Sequence, residues 1–578
     1  MFIDAVDRNA TLKLKRKFQR SNREEHRPKR QQYETNTTTM SMESNIDEEM
    51  SSCETSQALS DEEFRTHDEW KTTVSLPRFS LLADRFGISD RAAASLANGL
   101  FADIQFSDDR GKIILIDRCK IRRERSKLRE KLKVLHNDEI IDAEGLYFDS
   151  KKDKTMNSYF SDDNIHDKYK YEEHLCLVKE PGSSYLSYLC PSSSKANHVT
   201  ESIIEYIEEK NISSSVKVIG CDSTVVNTGS KNGIIHKLEL FLGRPLQHTI
   251  CMLHTNELPL RKLVTHLFGQ TKGPRSFENN FHNELSNCEQ LPICNFRVIN
   301  PIETMQMTEE VRIKLSKDQE YLYTICTVIA TKTIPDGFQN RKCGPLNHAR
   351  WVTMACRICR LYIGSVNPSC ELEMLVNFIV TNYTLNWFDI KCHSDIFSGP
   401  KLFHRSIVRL RNVAQDNQEI LRPVLQRNSY FAHPENIVLS MLSDTCQEIR
   451  TEAINLIKMS RDKRPELIRE FRTPTISFSS ESWTKMVNLT DYNDIEPPLT
   501  RSLQMSQIES FRESPYTVKL FPNHNQAVER VIKIISEASC AVGTQKSRHG
   551  LILSKLSSQA IMPRTERKCD FNVMLEKY

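Results

Sequence analysis

The sequence predicts an α/β core interrupted by a large all-α insertion. Three observations carry this expectation. Between Gly145 and Phe268, short apolar runs and amphipathic segments follow the order β β β α β α β α. From about 275 to 505 the apolar spacing is helical almost throughout. Beyond that, a strongly amphipathic helix returns over 524–539, HNQAVERVIKIISEAS.

Composition sets the outer limits. The chain has 578 residues, room for three or four domains at ~150 residues each. Lys plus Arg number 79 against 75 Asp plus Glu, a net charge of +4. That excludes binding of nucleic acid by bulk charge and leaves local basic patches. Hydrophobic residues make up 39%, enough for a sizeable core. With only 17 glycines the chain is neither collagen-like nor a Gly-rich low-complexity sequence. The 17 cysteines are scattered, and the start, MFIDAVDRNATLKLKRK, lacks the apolar core of a secretory signal. Reduced thiols in the cytosol or nucleus are therefore expected. The longest apolar stretch, Met374 to Phe388, is 15 residues and includes Asn377, Thr381, Asn382 and Asn386. It is too short and polar to span a bilayer and reads as a buried helix. A soluble intracellular protein with no membrane partner is the expectation.

Residues 1–70 are expected to form a disordered tail, basic and then acidic. Nine Lys and Arg lie within 13–30, followed by TNTTTMSMESNIDEEMSSCETSQALSDEEF. Such composition buries too little apolar area to offset chain entropy. The basic run is a candidate nuclear-import signal. Residues 71–140 form a helical N-terminal region. Leu81, Leu82 and Phe86 share a face, Gly87 breaks the helix, and Ser89 caps a second one over Ala92–Phe101. This outline fits a helix-turn-helix or an ordinary helical hairpin. The next helix, 118–133, carries nine basic residues against Glu124 and Glu130. It cannot neutralise itself, so Arg122, Arg123, Arg125 and Lys127 are candidate phosphate contacts on double-stranded DNA; a solvated linker helix is the alternative.

The first part of the core spans 141–275. LYFDS, HLCLVKE (174–180) and SYLSYLC (184–190) are strands, with Pro181-Gly182 turning between the last two. A helix over 198–210, a strand VKVIGCD (216–222), a helix over 231–243, a strand HTICMLH (248–254) and a helix over 257–268 follow. Three strands that can meander, followed by alternating helices and strands, are the order of a ribonuclease-H-like fold. Right-handed parallel crossovers restrict the topology further. In that fold the first and fourth strands are neighbours, so Asp149 and Asp222 face one another. The helical insertion covers 276–505, and the C-terminal helix and tail of the core cover 506–578.

Three carboxylates stand out: Asp149 at the end of the first strand, Asp222 at the end of the fourth, and Glu529 on the terminal helix. Each has an ordinary reading, the aspartates as turn formers and Glu529 as an i,i+4 partner of Lys533. Together they are the set that phosphodiester chemistry requires. Carboxylates hold two Mg2+ (or Mn2+) ions ~4 Å apart, one activating water or a 3′-hydroxyl, the other stabilising the leaving oxygen. The separation from 222 to 529 is 307 residues, far too long for a small uninterrupted core. The insertion accounts for it. Cys356-x-x-Cys359 has no second pair at zinc spacing and reads as two packed thiols. No G-x-x-x-x-G-K-[ST] loop is present.

Over roughly 145–578 the sequence resembles the hAT superfamily of DDE transposases. YFDSKKD and GCDSTVVNTG match its two Asp motifs at Asp149 and Asp222. ICMLHTNELPL matches its C-x-x-H motif at Cys251 and His254, NHARWVT its R-W motif at Arg350 and Trp351, and NQAVERVIKI its E-R motif at Glu529 and Arg530. The wording is similar to a divergent group seen in arthropods and their associated viruses. The resemblance implies a metal-dependent DDE site at Asp149, Asp222 and Glu529, and Trp351 stacking on a base with Arg350 beside it on DNA; core packing is the alternative for Trp351. Cys251 and His254 could bind zinc, but their position on a strand leading into a helix favours a structural role. It also implies a nuclear, DNA-binding protein, with assembly into homo-oligomers left open. Two features depart from the family. Residues 1–150 contain only Cys53 and Cys119, so no N-terminal zinc finger is built. Val531 and Ile532 replace the aromatic-serine pair after Arg530. A domesticated DNA- or chromatin-binding protein without catalysis, or a defunct element copy, are the alternatives.

Overall fold

The computed structural model describes residues 74–562, except 108–113, 138–141, 162–163, 272–280, 302, 304, 306, 345–349, 429, 464–473, 493–494 and 518. The tail 1–70, with its basic run 13–30, lies outside these residues, as do 563–578.

The chain is a mixed α/β protein. Its single sheet, among the described residues, has five strands in the order β3-β2-β1-β4-β5. β1 is Gly145–Ser161, β2 Asn164–Glu180, β3 Ser184–Leu189, β4 Val218–Cys221 and β5 Gln247–Ile250. β1, β2 and β3 meander antiparallel, while β4 and β5 run parallel to β1. The first strand does lie beside the fourth. β4 and β5 are buried at every residue; β4, VIGC, accordingly reads as an apolar run, whereas β5, QHTI, buries polar side chains such as Gln247, which donates to Asn436 Oδ1 at 2.5 Å.

The helices cover this sheet and extend beyond it. Three precede β1: α1 Pro77–Arg85, α2 Asp90–Asp103 and α3 Arg118–Asn137. Two cross between parallel strands: α4 Ala196–Glu209 and α5 Ile234–Leu242. α6, Met252–Phe268, leaves β5 directly. The helical stretch that follows includes α7 Lys317–Thr331, α8 Arg350–Gly364 and α9 Thr384–Cys392. Two helices close the described chain: α10 Gln526–Ser539 and α11 Gln545–Ser557. α10 packs on β1 and β2, and α11 packs on α10, α1 and α3. The N-terminal helices thus dock on the C-terminal one. α2 stands on a small satellite core of its own, Ala83, Ala93, Ala94, Ala97, Ile116 and Ile121.

Several boundaries differ from expectation. β1 and β2 run on as a two-stranded ribbon over 150–161 and 164–173, where the residue pattern carries no strand signal. The strand expected over 248–254 stops at Ile250, and helix begins at Met252. Within the helical stretch, Glu309–Ile313 and α7 are separate helices, because Ser316 and Gln319 form a capping box that starts a new one. Ser89 caps α2 as expected, accepting from Ala92 N at 3.2 Å. Among the described residues no helix is long and apolar enough to cross a membrane, and the described cysteines are free thiols.

Candidate functional site

The site begins with how β1 and β4 are locked. Tyr147 is fully buried, and its ring lies over Gly220 on β4. A Cβ at 220 would come within 2.4 Å of that ring, so only glycine fits. The pairing carries a constant offset of 73, from Gly145 with Val218 to Tyr147 with Gly220. Two residues further on, the same offset aligns Asp149 with Asp222 (149 + 73 = 222). Asp149 does not end the first strand as expected: it lies inside β1 and pairs with Cys176 on β2, because the ribbon carries the strand on to Ser161. Asp222 follows the last residue of β4, and neighbouring strands in a sheet are ~4.8 Å apart.

Local bonds hold both carboxylates. Asp149 Oδ1 accepts from Ser150 N at 2.8 Å. Asp222 Oδ1 accepts from Thr224 N at 3.0 Å and from Asn227 Nδ2 at 2.7 Å, an Asx-type turn that aims it past the strand end. Their charges meet at one buried thiol. Burial pushes Cys221 well up, and Asp222 and Asp149 both add to the rise.

Glu529 reaches this edge through a bolted segment, 521–525. Cys251, at the end of β5, donates its N–H to Cys221 O at 2.9 Å and accepts at Sγ from Asn525 N at 3.4 Å. Met252 N donates to Asn523 O at 2.9 Å. Tyr147 Oη donates to Pro522 O at 2.7 Å. Asn523 Nδ2 donates to His393 O and Asp395 O at 2.9 and 3.0 Å, which ties the segment to the helical stretch. α10 starts immediately after it and carries Glu529 in its first turn. Burial pushes the Cys251 thiol up, and the Glu529 charge pushes it further. Asp149 and Asp222 thus lie on the neighbouring strands β1 and β4 or just past them, and Glu529 lies within electrostatic reach of Cys251 at the end of β5. Cys251 is buried and pins the start of α10; His254 follows it on the first turn of α6.

The donor chemistry, hard carboxylate oxygens, fits Mg2+ or Mn2+. Unmet hydrogen-bonding capacity at the same edge also fits a hydrated ion. Ser223 Oγ and both side-chain polar atoms of Asn525 are buried without a hydrogen-bond partner among the described residues. Yet among the described residues no three His, Cys, Asp or Glu side chains are grouped closely enough to hold a metal. The edge collects the carboxylates without closing them into a ligand set. Asn525 was not singled out in the sequence, where a polar run before a helix, PNHNQ, looks like ordinary capping.

The other candidates divide. Trp351 is 5% exposed in α8, within a helix that packs on α7, Phe281–Asn287 and Cys370–Phe378. Packing accounts for its position; stacking on a base requires the ring to come out. The side chain of Arg350 lies outside the described residues. Cys356 and Cys359 are fully buried in the same helix, as packed thiols would be.

The basic helix α3 is not left to neutralise itself. Asp84 of α1, its side chain 1% exposed, accepts from Arg129 at 2.6 and 2.9 Å and pairs with Arg125 at 3.4 Å. Asp90 of α2 pairs with Arg125 at 2.6 Å and Arg122 at 3.3 Å. Arg125 also donates to Ile88 O at 2.6 Å. The expected shortage of counter-charge on this helix is corrected by acids from the two helices before it. Arg123 and Lys127, four residues apart and both exposed, remain on the outer face. The exposed face of α2 offers Leu96, Leu100 and, just beyond its end, Ile104, which is not the basic surface of a DNA-reading helix.

No protein-family model matches the chain and no curated protein is similar to it.

Proposed function

We propose that the chain is a transposase-derived protein of the hAT type, with a ribonuclease-H-like core, whose sheet edge performed Mg2+-dependent cleavage and transfer of DNA strands. The observation that carries this reading is the constant register offset of 73 between β1 and β4 over 145–147 and 218–220, which, continued for two residues, would bring Asp149 level with Asp222. The strand order 3-2-1-4-5 and the return of Glu529 after the helical stretch support it. Bound divalent ions would supply an activated water or 3′-hydroxyl and stabilise the leaving oxygen. Asp149, within β1, and Asp222, just past the end of β4, would hold them, with Glu529 joining from α10. Double-stranded DNA is the partner and the nucleus the location that this reading requires.

A silent DNA-binding protein of the same descent is the second reading, and the open ligand set favours it. One assay separates them. The purified full-length protein is incubated with supercoiled plasmid and Mg2+. Catalysis predicts nicking that EDTA stops and that Asp149→Asn and Asp222→Asn both reduce to background. Duplex binding without nicking, or nicking untouched by Asp222→Asn, removes the catalytic reading.

A further inference from the structure

A group of positive charges beside the site has no acid to balance it. Lys391, near the end of α9, donates from Nζ to Gln526 Oε1 at 2.7 Å, which holds the ammonium against the first turn of α10. Gln526 and Arg530 are four residues apart and share a face of that helix, and Arg530 acts electrostatically on Lys391. Lys314, exposed at the end of the turn Glu309–Ile313, adds a third charge to the same place. His524 sits among them; burial, then Lys391 and Arg530, drive its imidazole well below the usual range.

The acid that sequence would offer is already taken. Asp389, two residues before Lys391, pairs with Arg405 at 3.0 Å and Arg409 at 2.7 Å. Among the described residues, Lys314, Lys391 and Arg530 form no ion pair with Asp or Glu. Burial, reinforced by Arg530, holds Lys391 down to about 8. Losing the lysine proton would relieve only part of the repulsion, because a guanidinium does not deprotonate. A fold that keeps such a group together is complementary to an anion that arrives from outside. Lys and Arg side by side, one a point charge and one a planar fork, suit phosphate oxygens.

We propose that Lys391, Arg530 and Lys314 form a phosphate-binding site for a nucleic-acid strand. The choice of a strand over free phosphate rests on the function proposed above: Arg530 directly follows Glu529, so a phosphate held here adjoins the phosphodiester that the carboxylates would address.

The test uses the full chain and two probes, inorganic phosphate and a short blunt DNA duplex. Phosphate should raise the melting temperature of the wild type and do so less in Lys391→Met, Arg530→Gln and Lys314→Gln. Duplex affinity, followed by fluorescence anisotropy against salt, should fall several-fold in each. The slope of log affinity against log salt should drop by ~0.9 for each phosphate contact removed. Because Lys391 is half-buried, melting of each variant is recorded alongside; exposed Lys314 serves where Lys391→Met fails to fold, and Lys391→Arg should restore binding. Phosphate that has no effect on the wild type, or acts equally on all variants, overturns the site. Phosphate binding that depends on these residues while duplex affinity and slope do not overturns the assignment to a strand. Asp149→Asn separates this proposal from the catalytic one: it should abolish nicking and leave phosphate binding unchanged.

Discussion

The sheet edge and the N-terminal three-helix unit both display charges that the sequence marks out, and the fold treats them in opposite ways. At the edge, register and the bolted segment 521–525 gather acids from positions up to 380 residues apart (529 − 149) and leave nearby polar atoms such as Asn525 without partners. In the N-terminal unit, acids from α1 and α2 absorb the cations of α3 one by one. Unmatched charge is costly when buried and cheap to hold when paired. Polar groups gathered with hydrogen-bonding capacity to spare, such as Ser223 and Asn525, are therefore a better guide to function than charges that are merely abundant.

The largest expected effect lies where the edge is locked. Gly220→Ala drives a methyl into the ring of Tyr147 at 2.4 Å, deep in the sheet. We expect a loss of about 3 kcal/mol in urea unfolding, at the upper end of overpacking costs. The same substitution at Gly99, on the outer face of α2 with nothing within 4 Å, should instead gain ~0.5–1 kcal/mol. Equal signs at the two positions would mean that the contrast between a register-locked edge and an open helix face is wrong.

A second effect tests the seam between the two regions. His549 of α11 and His136 of α3 meet with ring centroids 5.5 Å apart, and His136 Nε2 bonds Leu186 O at 2.8 Å on β3. Burial, with His136, Lys133 and Lys210 adding, holds His549 down to about 4; burial lowers His136 as well. A folded-state value below the unfolded value of 6.5 means that the unfolded chain binds the proton better. The stabilisation is full above pH 6.5 and is lost as pH falls toward 4. For His549 it amounts to at most ~3 kcal/mol at 1.36 kcal/mol per unit. Thermal melts between pH 7 and 4 should show this loss, and His549→Gln should flatten it. A melt that is equally steep in the variant places the acid sensitivity elsewhere.

The same contrast explains what was legible. The core strands declared themselves because their residues are apolar on both faces: Leu175 to Val178 are all fully buried. The carboxylate pair was legible for the same reason, each ending such a run. The ribbon 150–173 was not, because its covered face is polar. Asp153 is held by Ser536, His174 by Thr155 and Tyr188, and Glu172 by Arg548 at 3.0 Å. Two of these partners lie nearly 400 residues away, and no local periodicity reports them. α11 was missed because Leu551, Ile552 and Leu553 are all buried, so its apolar run carries no helical period. The cations of α3 were read correctly as a cluster, but Asp84 and Asp90 are contributed by neighbours that only the fold brings close.

The smallest effects separate spent cations from available ones. Asp84→Asn removes the acid that serves Arg129 and Arg125. Its side chain is 1% exposed, but Arg129 is 22% exposed, so water recovers part of the lost interaction. We expect a loss of ~2 kcal/mol, below the cost of breaking a fully buried pair. Replacing Arg123 and Lys127 together by Gln should change stability by less than ~0.5 kcal/mol, since both are exposed and neither pairs with an acid among the described residues. If α3 lies on DNA, its outer face does so, and this double variant should flatten the salt dependence of duplex binding by ~1.8 for two contacts, equally for all sequences. Arg125→Gln should do the reverse: it should cost stability and leave the slope alone, because its guanidinium is committed to Asp90 and Ile88 O. A slope that follows Arg125 and ignores Arg123 and Lys127 would show that the pairs with Asp84 and Asp90 open when DNA arrives, and the distinction between spent and available charge would have to be drawn in the complex.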